Sequence, residues 1–197
     1  MSYEAKIAEL GYKMPAPSKP VASYVMATRV GNLIYTGAFP CAPTGCLHTA
    51  AEGFCCSYPR AAPLTCYAPH AHPPSFARAA AGHLPVTSDG TVMTGKVGTE
   101  LTTEQGYEAA RNVGLNICAT LKNELGGDLN RVKRFVKLTA FVNCVDSYQS
   151  QPKVVNGCSE FLGAVFGEAG RHSRSAVGVN ALPLNVPVEI ECIVEVE

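Results

Sequence analysis

From residue 186 onward the chain alternates apolar and polar positions. Val188, Ile190, Cys192, Val194 and Val196 fall on one side, and Glu189, Glu191, Ile193, Glu195 and Glu197 on the other, which predicts a strand over 186–196. Residues 132–143 (VKRFVKLTAFVN) also alternate and are rich in β-branched and aromatic side chains, so they predict a strand. Between residues 102 and 127 the period changes. Tyr107, Ala110, Gly114, Ile117, Leu121 and Leu125 recur at three- and four-residue spacing, the stripe of a helix lying on a sheet. Thr102 and Gln105 have the spacing of a capping box, and Gly126-Gly127 marks the stop. A second helix is opened by Ser150 and Pro152, shows an apolar face of Val154, Cys158, Phe161, Leu162 and Val165, and ends at Gly167. Residues 23–30 and 32–36 read as two strands around the turn dipeptide Gly31-Asn32. The turn Ser88-Asp89-Gly90 leads to a short strand near Val92, and 175–179 reads as another strand. The order ββ(β)αβαββ predicts an α+β fold, a mixed sheet with two helices packed on one face.

Residues 38–81 break this pattern. They hold seven of the 14 prolines, five of the nine cysteines (Cys41, Cys46, Cys55, Cys56, Cys66) and three of the five histidines, with neither helical nor strand periodicity. A loop of that length is foreign to a compact domain. The cysteine spacing contains no C-x₂-C pair of the kind that structural zinc sites use. The chain is therefore expected to be one domain, residues 1–197, interrupted by a Pro/Cys/Ala-rich insertion at about 38–81 without packed structure. A glycine stands at each seam, Gly37 and Gly82, and joining across them gives Tyr-Thr-Gly-His-Leu-Pro. That is the mark of a retained intron, a gene-model artefact or an isoform insertion.

Composition narrows the function. Lys+Arg and Asp+Glu both number 16, giving a net charge of zero. No global basic surplus is available to displace phosphate counterions, so nucleic acid is not an expected partner. The local group Arg131, Lys133, Arg134 and Lys137 reads first as a solvated strand edge. No apolar run approaches the roughly 18 residues that span a bilayer, so no membrane partner is expected. The first residues, Met1-Ser2-Tyr3-Glu4-Ala5-Lys6, have the character of neither a signal nor a transit peptide, which makes the cytoplasm the default location. Cys118, Cys144, Cys158 and Cys192 lie in regular elements, where a free cysteine acts as a small hydrophobe.

Four stretches carry a resemblance. They are Ser23-Tyr24-Val25 leading to Gly31-Asn32-Leu33-Ile34-Tyr35-Thr36; Gly82-His83-Leu84-Pro85; Val155-Asn156-Gly157; and Arg174-Ser175-Ala176-Val177 with Leu182-Pro183, closed by Val188-Glu189-Ile190-Glu191. Together with the helices they resemble the Rid/YjgF family, also called endoribonuclease L-PSP or chorismate-mutase-like. The leader Leu10-Gly11-Tyr12-Lys13-Met14-Pro15 resembles the family's longer, divergent subgroup.

The resemblance implies a homotrimer with pockets between subunits, and deamination of reactive 2-imino or enamine acids to 2-keto acids and ammonia. Imine hydrolysis is intrinsically easy, so no metal or organic cofactor is implied. By matching position, Arg174 is the carboxylate clamp, because its planar fork fits a carboxylate. Glu189 is the acid/base that positions water. Tyr24 is a pocket wall and hydroxyl donor, Asn156 a polar group at the pocket edge, and Gly82 a backbone contact. Many active relatives have a cysteine where this chain has Ala176; the backbone N–H there can still serve.

Plainer roles stand beside these. Arg174 could be an ion-pair partner of Glu189 or Glu191 on a neighbouring strand, and Glu189 one member of a solvated glutamate row. Tyr24 could pack, and Asn156 could cap its helix. His83 and His172 could be satisfied structural residues, and Cys118 and Cys158 helix packing. Two other functions also stay open: a non-catalytic trimer that binds small carboxylates or partner proteins, and cleavage of single-stranded RNA.

Overall fold

The computed structural model describes residues 2–17, 25–36 and 82–197. Tyr24 and the segment 38–81 lie outside the described residues. The elements run α1 (Tyr3–Glu9), β1 (Ala27–Val30), β2 (Leu33–Thr36), α2 (Thr103–Glu124), β3 (Val132–Asn143), α3 (Gln151–Phe166), β4 (Ser173–Val179) and β5 (Val188–Val196), with short 3₁₀ turns between them. The five strands form one sheet in the order β1-β2-β5-β3-β4. All neighbours are antiparallel except β3 and β4, which are parallel and joined through α3. This is the α+β layer the alternation predicts. Among the described residues no helix is long and apolar enough to cross a membrane.

Local chemistry accounts for the boundaries. Thr102 accepts from the Gln105 amide while the Gln105 side chain accepts from Thr102, a complete capping box at the start of α2. Gly126 and Gly127 beyond its end have φ of +71° and +100°, which side-chain-bearing residues rarely adopt. Pro152 lies in the first turn of α3, and Gly167 ends that helix with φ +61°. Ser150 stands at the N-cap position, but its side chain makes no capping bond.

Residues 3–9, which have no apolar stripe and carried no expectation, form α1: Ser2 caps it, accepting from the Ala5 amide, and Tyr3 packs on Phe166 with ring centroids 4.4 Å apart. Two expectations need correction. Val92 makes a single bridge to Val86 and no strand. Residue 156 is in the second turn of a helix that begins at Gln151, so Asn156 is not its cap.

The core lies between the sheet and the helices. Val188, Ile190, Cys192, Val194 and Val196 of β5 and Leu138, Ala140 and Val142 of β3 are buried against the apolar faces of α2 and α3. The helices meet closely because Gly157 has no side chain; a Cβ there would lie 2.0 Å from the Tyr107 carbonyl oxygen. Cys118, Cys144, Cys158 and Cys192 are all buried free thiols, and burial raises the pKa of Cys118, Cys158 and Cys192. They pack as hydrophobes. In the basic group, Arg134 pairs with Glu195 at 2.7 Å and Arg131 donates to the Leu125 carbonyl.

Candidate functional site

The candidate residues that are described fall into two clusters. The first is at the sheet edge. Pro152, Asn156 and Ser159 recur at i, i+4 and i+7 on α3, so they share one face of the helix. Arg174 on the edge strand β4 stands beside Leu138 in register, which turns its side chain to the helix-covered face. There the half-buried guanidinium donates through Nη1 to Ser159 Oγ at 2.8 Å, and through Nη2 to Asn156 Oδ1 at 2.7 Å and the Pro152 carbonyl at 3.2 Å. Three of its five donors are engaged, all by neutral acceptors. Among the described residues no carboxylate pairs with it. Ala176, two residues along on the same face, is partly buried and packs against the core.

Arg174, Ser159 and His172 line an open cleft of about 370 Å³. His172 Nδ1 lies 2.7 Å from the Gly170 carbonyl and Nε2 lies 3.0 Å from Ser159 Oγ. Burial lowers the pKa of this imidazole, the Arg174 charge lowers it further, and the Gly170 bond partly offsets both.

The second cluster is on the central strand β5. Glu189 is partner to Phe141, and Phe141 to Val177, so all three face away from the helices. Glu189 is nonetheless only 6% exposed, and its Oε1 accepts from the Gly82 amide at 2.6 Å. A Cβ at Gly82 would lie 2.4 Å from Glu189 Cγ, so only glycine lets the backbone approach this closely. His83 pins Gly82 in place: its amide donates to the Ile190 carbonyl at 2.6 Å, and the Ile190 amide returns a bond at 3.1 Å. The His83 ring is buried with Nε2 2.9 Å from Thr120 Oγ1, and burial lowers its pKa to about 4. Burial raises the Glu189 pKa, the Gly82 bond partly offsets this, and the like charge of Glu191 adds to the rise.

The structure therefore brings Arg174 to Asn156, and Glu189 to Gly82, but does not bring the two pairs together within one chain. The ion pair of Arg174 with Glu189 or Glu191 is ruled out because β3 runs between β4 and β5. The solvated-row reading also fails for Glu189, which is buried. Ser159 and His172's link to it went unrecognised in the sequence; the i+3 step from Asn156 to Ser159 was the available signal. Among the described residues no group of three or more His, Cys, Asp or Glu is placed to hold a metal ion.

Residues 48–196 match the family model described as "YjgF/chorismate_mutase-like, putative endoribonuclease". Protein TCP17 of Trypanosoma cruzi is 46% identical over 115 residues, 58% of this chain and 71% of that protein. Among solved structures, Atu1372 of Agrobacterium tumefaciens, a protein of unknown function, superimposes with a TM-score of 0.71 at 32% identity, covering 99% of this chain and 94% of that one. An endoribonuclease-named protein of Shewanella oneidensis matches with a TM-score of 0.74 at 24% identity over the full length of both chains, a likeness of fold. The chain belongs to the YjgF/Rid family.

Proposed function

We propose that the chain hydrolyses small 2-imino and enamine acids to 2-keto acids and ammonia, at a site completed between copies of itself in a homotrimer. One observation carries the reading: Arg174 is a half-buried cation in a cleft, held by neutral acceptors and matched by no carboxylate among the described residues. A permanent charge arranged in this way fits an anionic ligand. The incoming carboxylate displaces the longest and most exposed of the three bonds, the one to Pro152.

Glu189 supplies the proton chemistry. A buried carboxylate with a raised pKa is suited to take a proton from water near neutral pH. Water adds to the imine carbon, forming a C–O bond, as Glu189 accepts its proton. That proton passes to nitrogen to give the carbinolamine; its hydroxyl then gives up the second proton, through Glu189, to nitrogen as the C–N bond breaks and C=O forms, and ammonia and the keto acid leave. No step calls for a metal or organic cofactor.

Assembly between copies reconciles this chemistry with the register. Arg174 lies on an edge strand, and Tyr35, Val136 and Val177 are exposed large hydrophobics of the sheet. A second chain packed there would bring its own Glu189 and Gly82 toward Arg174. Tyr24 is assigned to the pocket wall on the same reading.

The test generates 2-aminoacrylate with a PLP-dependent dehydratase and follows pyruvate release. Wild type accelerates release and Arg174→Ala does not; no acceleration by wild type rejects the deaminase. Binding of 2-ketobutyrate without turnover identifies the non-catalytic carboxylate-binding trimer instead.

A further inference from the structure

We propose that Ser159 and His172 form a relay that positions Arg174 for its ligand, so that His172 sets the clamp's geometry without touching the substrate. The inference rests on the carboxylate-binding reading of Arg174 and adds two residues to it.

The hydrogen bonds have a single consistent direction. A carbonyl only accepts, so the 2.7 Å contact with the Gly170 oxygen puts the imidazole proton on Nδ1. Nε2 of the neutral ring is then an acceptor, and the Ser159 hydroxyl 3.0 Å away donates to it. With its hydrogen committed there, Ser159 Oγ presents its lone pair to Arg174 Nη1 at 2.8 Å. The order is Arg174 N–H to Ser159 oxygen, Ser159 O–H to His172 Nε2, and His172 Nδ1–H to the Gly170 carbonyl. Every donor in the relay has an acceptor.

The anchor of the relay is rigid. Gly170 is buried, and a Cβ there would lie 2.2 Å from the Leu162 carbonyl oxygen, so the turn can seat against α3 only with glycine. His172 and Arg174 are two residues apart in extended chain and so share a face. Both reach Ser159, one on each side. Burial and the neighbouring Arg174 charge disfavour a protonated His172, which would lose the acceptor the relay needs.

An arginine has four rotatable side-chain bonds and loses much freedom when it binds a ligand. Holding it beforehand places that loss in folding and leaves the ligand a prepared fork. Asn156 and the Pro152 carbonyl hold Nη2, and the relay holds Nη1. The fork then lacks the freedom to rotate out of the cleft.

The experiment titrates 2-ketobutyrate into the full-length chain by calorimetry, with 15N detection of the His172 tautomer. Ser159→Ala and His172→Phe are each expected to weaken binding roughly tenfold, the scale of one hydrogen bond to a charged group. Ser159→Thr, which keeps the hydroxyl, and His172→Gln, which keeps an acceptor, are expected to stay within about threefold of wild type. The His172 signals should show a protonated Nδ1 and a bare Nε2. Wild-type affinity in Ser159→Ala, with binding lost in Arg174→Ala, overturns the relay and leaves the carboxylate site standing. Equal losses in His172→Phe and His172→Gln overturn it as well, since the ring would then act only by packing. If wild type binds no 2-ketobutyrate while folded, the carboxylate reading and the relay fall together.

Discussion

The sheet edge and the sheet centre solve opposite electrostatic problems. At the edge, Arg174 keeps its charge in a half-buried cleft by donating to Ser159, Asn156 and the Pro152 carbonyl, and still lacks an anion among the described residues. At the centre, burial and the like-charged Glu191 on its own strand raise the Glu189 pKa, and the single backbone bond from the Gly82 amide offsets this only in part. One cluster is short of negative charge and the other carries a carboxylate that burial disfavours. They lie on opposite faces of one sheet, two strands apart. On the proposed function, they are two halves of a site that meet only when one chain packs on another.

The largest effect is expected at the edge. Arg174→Ala should lower kcat/KM for 2-aminoacrylate on the order of 10²–10³-fold, the scale of losing a preorganised charged donor, with the thermal midpoint little changed. A small kinetic effect with a large loss of stability would make Arg174 structural and break the comparison.

At the centre, Glu189→Gln should lower kcat about 10²-fold with little change in KM, as for loss of a general base. The same substitution should raise stability at neutral pH. Burial lifts the Glu189 pKa above its ordinary 4.5, so folding favours the protonated form. That contribution is fully present below 4.5 and is lost as pH rises through the lifted value. The stability gap between Gln and Glu should therefore widen from acid to neutral pH in urea-melt series. Equal stability at every pH would remove Glu189 from the list of strained groups.

A further effect, on stability alone, concerns His83, whose backbone bonds to Ile190 hold Gly82 in place. His83 has its pKa lowered from 6.5 to about 4 by burial, the opposite case. Its contribution is present above pH 6.5 and is lost as pH falls toward 4, on the order of 3 kcal/mol across that window. His83→Gln should flatten the acid limb of the stability profile. The smallest effect is at the surface: removing the exposed Arg134–Glu195 pair should cost less than about 1 kcal/mol and leave kinetics unchanged.

Much of this was legible in the residues. The period-two run of β5, the strand at 132–143 and the Thr102/Gln105 capping box each had one strong local cause; the last two form where they were read, and β5 begins at Val188, just after Pro187, two residues later than the expected 186. Helix α1 was invisible because Ile7 is its only buried residue and supplies no periodicity. Arg174, Glu189, Asn156 and Gly82 were legible as candidates. Their partition was not, because it depends on β3 inserting between β4 and β5, and strand order is not written in local pattern. Ser159 was hidden for a related reason: a serine in a helix gains meaning only when a strand brings an arginine beside it.

On the proposed function, the Arg174 and Glu189 clusters complete one another between copies. The most direct measurement mixes Arg174→Ala and Glu189→Gln chains, dissociates and reassembles them, and assays pyruvate release from 2-aminoacrylate. Each variant alone should be nearly inactive. Random mixing in a cyclic trimer leaves roughly a quarter of the interfaces with both an intact Arg174 and an intact Glu189, so the mixture should regain about a quarter of wild-type activity. No recovery in a mixture shown to form mixed oligomers would contradict a site shared between chains.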